Sequence, residues 1–280
     1  MTKTKTEVAT KPVDETMLPA YLRGLKIEND DNFDSSDIVL PRIKLLQGLS
    51  PEIEQFDEAK SGMFWHTGLD ISLGTSIKFA IGDRRKKYLL QAPIADGQGI
   101  LSRSDDAITW SNLGSWSVKI KGQKNPVTWK IESLDVAESG LTEWGTSVVD
   151  DENSPPAATL FYDYLVLLPD FPDLGPSIMS LARSGIKKAK KGLNDKIAMH
   201  KNNGRPMQAL LFTADSVEET SDDGPFKNWM FKSAGFVQDE VLFGQLTELR
   251  GALANVRIQD EGDTGENDVV SNSDTGDGSF

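Results

Sequence analysis

Cysteine is absent from the 280-residue chain, and histidine occurs only at His66 and His200. The missing thiols exclude disulfides, cysteine nucleophiles and cysteine-based metal sites, and they are typical of proteins in a reducing cytoplasm. Two histidines are too few for a histidine-rich metal centre. We therefore predict a cytoplasmic protein that requires no metal ion and no other cofactor.

Long hydrophobic runs and enzyme signatures are missing as well. No apolar stretch approaches the roughly 18 residues of a membrane-spanning helix, and residues 1–16 lack the apolar region of a signal peptide. No Gly-x-Ser-x-Gly motif occurs, and the lysines between Gly185 and Gly192 lack the Gly-Lys-Ser/Thr ending of a phosphate loop. These absences predict a protein that does not act at a membrane and is not an enzyme.

Three carboxylates leave one catalytic alternative open. Asp163, Asp170 and Asp173 have the oxygen ligands that magnesium prefers, so a divalent-metal nuclease remains a hypothesis. The Asp/Glu-x-Lys sequence that such nucleases need does not follow Asp170. The same carboxylates also fit ordinary polar positions in loops and at strand edges.

Charge is distributed very unevenly along the chain, whose net charge is −13. The last 21 residues, Asp260–Phe280, carry seven acidic side chains and no basic one, and residues 131–157 carry another seven acids without a base. The rest of the body is consequently net positive. Local charge matters more than the total for binding a polyanion, so the acidic balance does not exclude nucleic acid.

Composition and periodicity divide the chain into three parts. Residues 1–37 are predicted to be a disordered arm with an acidic linker, and residues 259–280 a disordered acidic tail. Between them, strands are predicted at Ile38–Gln47, Gly62–His66, Ser76–Ile81, Lys86–Gln91, Trp116–Lys121, Val127–Ile131, Ala158–Leu168, Met207–Ala214 and Phe226–Val237. Helices are predicted at Ser177–Lys201 and Asp239–Ala254.

A strand, a helix and two further strands form the second half of an OB-fold, a five-stranded Greek-key barrel. We therefore predict a mainly β protein with two helices. Residues 38–258 would form one OB-fold-like barrel, elaborated by a β-rich insertion at residues 92–157.

Four segments combine positive charge with β or helical structure. Cations neutralise phosphates and release counterions, and an aromatic ring beside them offers a face for a base to stack on. The first segment is Arg84-Arg85-Lys86-Lys87-Tyr88, at the junction of two predicted strands. The second is the hairpin around residue 122, whose outer face carries Lys119, Lys121 and Lys130 and whose tryptophans we assign to the core.

The other two segments lie in the second half of the chain. Residues 183–205 hold eight bases against the single acid Asp195, and we predict phosphate contacts from Lys187, Lys188, Lys190 and Lys191. In the last strand Lys227, Trp229 and Phe231 alternate onto one face, which suits a nucleic-acid groove. Trp229 and Phe231 could equally be core residues.

The chain resembles a bacteriophage-type single-stranded DNA-binding protein. The resemblance rests on the basic and aromatic β body, the lysine helix between strands, and the acidic tail ending Gly276-Asp277-Gly278-Ser279-Phe280. It implies an OB-fold that coats and protects exposed strands during phage replication or recombination. It also implies a tail, with Asp274, Asp277 and Phe280, that recruits partner proteins.

Two alternatives stay open beside this function. The chain could be a protein-interaction or host-takeover factor whose acidic tail mimics DNA, or the nuclease considered above. The sequence does not separate DNA from RNA as the ligand.

Overall fold

A computed structural model describes residues 40–93, 99–148, 151–221 and 224–254. The predicted arm and linker, and the predicted tail with Asp274, Asp277 and Phe280, lie outside these residues. The described part is mainly β, as predicted, and the strands of each sheet pair antiparallel. Within these ranges, no helix is long and apolar enough to cross a bilayer.

Strands and helices follow the chain in this order. The strands are β1 (Ile43–Leu45), β2 (Phe64–His66), β3 (Ile71–Gly74), β4 (Ser76–Gln91), β5 (Ile100–Ser104), β6 (Gly114–Val118), β7 (Val127–Ile131), β8 (Ala158–Leu167), β9 (Ser177–Ala182), β10 (Leu210–Ser221) and β11 (Gly224–Phe236). The α-helices are α1 (Glu52–Gln55), α2 (Ser184–Ala189), α3 (Asp195–Asn202) and α4 (Glu240–Glu248), and a π-helical turn, Lys190–Asn194, joins α2 to α3.

The main sheet has the strand order β11-β10-β4-β8-β9, and β5 also pairs with β4. Alternate apolar side chains of these strands, such as Phe79, Tyr164 and Phe212, point to one side and form the principal core. The helical residues 184–202 lie between β9 and β10 in the chain and add Ile186 and Leu193 to that core. Burial of these large side chains supplies most of the stabilisation of the sheet.

β4 corrects the prediction of two separate strands. It is one strand of 16 residues, so the run Arg84–Tyr88 lies within a strand and not at a turn. The register with β8 shifts between Ile81 and Asp83, and the strand continues through this bulge. Gly82 occupies this bulge because a Cβ there would lie 2.8 Å from the Cβ of Leu249.

The long predicted helix is wrong in its first part. Ser177–Ala182 forms β9, paired with β8, and α2 begins only at Ser184. Ile178, Met179 and Leu181 are all buried, so this stretch has apolar residues on both faces. Periodicity does not separate such a buried strand from a buried helix.

The segment between β4 and β8 has its own apolar cluster, which includes Trp110, Trp129 and Ile131. The predicted hairpin is confirmed as β6 and β7, with Trp129 buried and Trp116 half-buried. The sequence did not predict β3, β5 or α1. Near the C-terminus of the described chain, α4 begins with Asp239 as its N-cap, whose carboxylate accepts a 2.8 Å hydrogen bond from the Val241 amide.

Candidate nucleic-acid interface

The cationic run of β4 alternates between the two faces of its strand. Arg84 and Lys86 are exposed, Arg85 and Tyr88 are half-buried, and Lys87 is fully buried. Successive side chains of a strand point to opposite faces, so one run of similar residues is divided into two chemical roles. Only the Arg84 and Lys86 side of the strand presents its charge to solvent.

Lys87 belongs to a buried ion pair. Its Nζ atom lies 3.2 Å from Oδ2 of Asp163, and both side chains are completely shielded from solvent. Ser180 donates a 2.5 Å hydrogen bond to the other carboxylate oxygen, and Arg85 approaches Asp163 at 3.4 Å. A phosphate could not reach Lys87 without displacing this network, so Lys87 is a structural residue and not the surface contact that the sequence suggested.

Arg84 connects β4 with the helical segment. Its Nη1 atom donates a 2.9 Å hydrogen bond to Oδ1 of Asn194, which also accepts a 3.0 Å bond from the hydroxyl of Tyr164. Burial raises the pKa of the Tyr164 phenol, so this hydroxyl keeps its proton and acts as a donor at neutral pH. Asn194 therefore fixes the lysine-rich helix beside the exposed edge of the cationic run.

We define the basic surface as five exposed side chains from these two elements: Arg84, Lys86, Lys187, Lys190 and Lys191. Three of them, on the helix, lie within about two turns of Asn194. The Lys86 ammonium lies 5.5 Å from the centre of the Tyr162 ring, a cation–π distance. Among the described residues, none of the five has a carboxylate within ion-pair distance.

A second group of lysines, which we call the paired face, forms ion pairs with carboxylates of β10; Lys188 comes from α2, and Lys227 and Lys232 come from β11. Its three ion pairs are Lys188 with Glu219, Lys227 with Glu218 at 2.8 Å, and Lys232 with Asp215 at 2.8 Å. Hydrogen bonds from these ammonium groups lower the pKa values of all three carboxyls. Lys188 and Lys227, which the sequence assigned to DNA binding, are thus already neutralised by the protein's own acids.

Trp229 and Phe231 lie in the principal core. Only 8% and 7% of their surfaces are exposed, and their rings stack with centroids 5.7 Å apart. Trp229 also packs against Phe64 at 4.8 Å. The sequence left open whether these two rings are core residues or stack on bases. They are core residues, so they do not form an open platform for stacking.

The remaining predicted cations lie apart on the β6–β7 hairpin. Lys119, Lys121 and Lys130 are exposed, as expected from the alternation of the hairpin residues. Their neighbours Val118, Val127 and Trp129 face the cluster beneath the hairpin. The hairpin therefore offers charge without an exposed aromatic ring of its own.

A groove that the sequence did not predict lies between β1 with its following loop and the β4–β8–β9 part of the sheet. Its volume is about 510 Å³, and its lining includes Arg42, Lys44, Leu49, Gln91, Phe161 and Ser180. Phe161 is half-buried, and Leu49 is 98% exposed at the loop. The Lys44 ammonium lies 2.9 Å from the Glu52 carboxylate, which also lines the groove, so the Phe161 ring is the group here that suits a base.

Two hydrogen bonds hold the loop side of this groove in place. The Gln47 side chain donates a 2.9 Å hydrogen bond to the Lys227 carbonyl and accepts another of 2.9 Å from the Lys227 amide. Of the residues that the sequence assigned to DNA binding, Trp229 alone is in the lining of this groove. The groove itself depends on contact between the loop after β1 and β11. Gln47 and Lys227, which form this contact, are 180 residues apart in the sequence.

Metal ligation has no structural support in the described ranges. There, no group of three or more histidine, aspartate or glutamate side chains is placed to hold a metal ion. Asp163 is committed to the buried ion pair with Lys87, and Asp170 lies 3.5 Å from the Lys78 ammonium.

Comparisons with known proteins give one match. The family model described as "Pam3 phage gp34-like protein" matches residues 13–258, and neither a curated protein nor a solved structure matches. The matched range covers most of the 280 residues, including every residue of the basic surface, the paired face and the groove. The chain therefore belongs to the Pam3 phage gp34-like protein family.

Proposed function

We propose that this phage protein binds single-stranded DNA without catalysing a reaction, and that the basic surface holds the phosphates. The observation that carries the proposal is the convergence of five exposed cations that have no carboxylate partner among the described residues. Unpaired cations on a protein with net charge −13 are electrostatically unusual. A polyanion that displaces their counterions gives a physical reason for keeping them together.

The order of strands supports an OB-like interpretation of the main sheet. Along the chain, β4, β8 and β9 precede the helical residues 184–202, and β10 and β11 follow them. A helix after the third of five strands is the OB arrangement on which the prediction rested. In addition, Arg42 next to β1 bridges to Ile178 of β9, and Gln47 binds β11, so β1 spans the space between the two edge strands.

The groove would accept unpaired bases. Phe161 offers a partly open ring on one wall of this groove. Bases can enter such a groove only when they are not stacked within a duplex, which favours single strands over double strands. Because every base has an aromatic face, stacking here would not select a sequence.

The biological role follows from the phage family and from stoichiometric binding. The protein would coat and protect strands exposed during phage replication or recombination. The acidic tail, through Asp274, Asp277 and Phe280, would recruit replication or recombination proteins, in the cytoplasm of the host.

The test is a titration of fluorescently labelled single-stranded DNA, with duplex DNA and single-stranded RNA as controls, over a series of salt concentrations. Two matched triple variants decide the question. The first changes Lys187, Lys190 and Lys191 of the basic surface to alanine, and the second changes Lys188, Lys227 and Lys232 of the paired face to alanine. Both remove three positive charges. Losing three phosphate contacts should lower the slope of log affinity against log salt by about 2 in the first triple only.

The outcomes separate the alternatives clearly. Salt-sensitive binding of single strands that is weakened by the first triple and not by the second supports the proposal. Equal weakening by both triples would show that only net charge matters. No binding at about 50 mM salt would exclude the function and favour a factor that acts on other proteins.

A further inference from the structure

The segment between β4 and β8 contains two surfaces of opposite charge. The first is the basic hairpin, with Lys119, Lys121, Lys124 and Lys130, all of them exposed. The second is the acidic face, with the exposed side chains Glu132, Asp135, Glu138, Glu143 and Glu152. The two surfaces meet at Lys130 and Glu132, whose ammonium and carboxylate lie 4.0 Å apart, and their other charged side chains lie on either side of this pair in the chain.

Local hydrogen bonds hold the acidic face in a defined shape. Asp135 Oδ1 accepts hydrogen bonds from the amides of Ala137 and Glu138 at 2.8 and 3.3 Å. Further along, Gly145 donates a 2.8 Å bond to the Ser154 carbonyl, which places Glu152 beside the Glu143–Gly145 turn. The acids are therefore presented by folded turns and not by an extended loop.

Large apolar side chains are exposed next to these acids, since Leu134 precedes Asp135 and Trp144 follows Glu143 in the chain. Trp144 is 71% exposed, Ile108 65% and Leu134 45%. Ile108 and Leu134 are neighbours, because the Val136 amide bonds to the Ile108 carbonyl at 2.9 Å and the Trp110 amide bonds to the Leu134 carbonyl at 2.7 Å. Exposed apolar residues surrounded by polar ones are characteristic of surfaces that bind another protein.

We propose that the basic hairpin of one copy docks on the acidic face of a second copy. The hairpin has the charge that the acidic face lacks, and the half-buried Trp116 and Ile120 add apolar surface beside its lysines. DNA is a poor partner for the acidic face, because the carboxylates there would repel its phosphates. It would also leave the side chains of Trp144, Ile108 and Leu134 exposed to water. In a head-to-tail contact each copy uses its hairpin on one neighbour and its acidic face on another, so it can bind two copies.

Head-to-tail contact would make DNA binding cooperative. β5 pairs with β4 at Tyr88–Gln91, so the hairpin segment is attached directly after the cationic run. Copies joined through this segment would place successive basic surfaces along one strand. This consequence depends on the proposed DNA-binding function, whereas the self-association does not.

Sedimentation velocity of the full-length protein without DNA tests the contact. The hairpin variant changes Lys119, Lys121 and Lys124 to glutamate, and the acidic-face variant changes Glu132, Glu138 and Glu143 to lysine. At about 50 mM salt the wild type should associate as its concentration rises, and association should disappear at about 500 mM. Each variant alone should associate at least about tenfold more weakly.

Charge exchange makes the test specific. An equimolar mixture of the two variants, and a variant carrying all six changes, should recover association because opposite charges face each other again. Monomeric wild-type protein at low salt would overturn the proposal, as would mixed variants that remain monomeric. A hairpin variant that loses DNA affinity but associates normally would assign these lysines to phosphates and would also overturn it.

Discussion

The basic surface and the paired face contain the same kinds of side chain in different electrostatic settings. On the paired face, each of three lysines has a carboxylate supplied by β10. On the basic surface, Arg84 bonds to the neutral amide of Asn194, and the four lysines have no carboxylate partner among the described residues. Cations that the protein itself neutralises gain little from a phosphate, so only the unpaired group should bind nucleic acid strongly.

The cationic run of β4 repeats this contrast within five residues. Lys87 is buried against Asp163, while Lys86 is exposed one position earlier. Asp163→Ala would leave the buried Lys87 ammonium without this carboxylate, and it should destabilise the fold by about 3–5 kcal/mol. Chemical denaturation monitored by circular dichroism measures this effect.

The double variant Asp163→Ala with Lys87→Met provides the control for that prediction. Removing both charges should restore much of the lost stability, because no isolated charge remains in the core. If the double variant were as unstable as the single one, the ion pair would not be the reason for the loss.

Phe161→Ala separates stacking from charge. If a base stacks on this ring in the groove, its loss should weaken binding of single-stranded DNA by about 1–3 kcal/mol without changing the salt slope. The same titration measures both quantities. If the variant lost affinity and also showed a smaller salt slope, Phe161 would affect phosphate contacts. That result would contradict its assignment to base stacking.

The paired face can be converted into an unpaired one. A triple variant would remove the three carboxylates that pair with Lys188, Lys227 and Lys232. Its substitutions are Asp215→Asn, Glu218→Gln and Glu219→Gln. Affinity for single-stranded DNA should then rise about two- to fivefold at low salt. Neutralising Asp173, Glu240 and Glu248 instead changes the net charge equally, and a similar rise in that control would show a general charge effect.

DNA affinity and folding stability should depend differently on pH. Lysine and arginine keep their charge between about pH 5.5 and 8, so DNA affinity should change little. His66 is 2% exposed, and burial lowers its pKa below the ordinary value of 6.5. The unfolded chain therefore binds a proton more readily, and stability should fall as the pH falls below about 6.5.

His66→Phe provides the control for this smallest effect. Thermal unfolding of the variant should depend less on pH over this range than unfolding of the wild type. Equal pH dependence in both proteins would show that other groups are responsible.

The sequence was sufficient for features that depend on local patterns. The alternation around Trp116 and Trp129 predicted the hairpin and the burial of Trp129, and the apolar run Ala158–Leu168 predicted β8 almost to its ends. It failed for Ser177–Ala182, because a short segment with apolar side chains on both faces fits either a helix or a strand.

Pairing of charges required the fold. Lys188 and Lys187 are adjacent and indistinguishable in the sequence, yet only Lys188 reaches Glu219, 31 residues away. Lys87 reaches Asp163 across the β4–β8 pair in the same manner. The groove depends on contacts of still longer range, so no local pattern revealed Phe161 as a site residue.

Lysine footprinting identifies which ammonium groups of the protein contact DNA. The protein would be acetylated briefly with and without a saturating single strand, and the modification of each lysine measured by mass spectrometry. We expect DNA to protect the lysines of the basic surface, Lys86, Lys187, Lys190 and Lys191, and to leave the modification of Lys188, Lys227 and Lys232 unchanged. Protection of the paired lysines while the basic surface stays reactive would contradict this expectation.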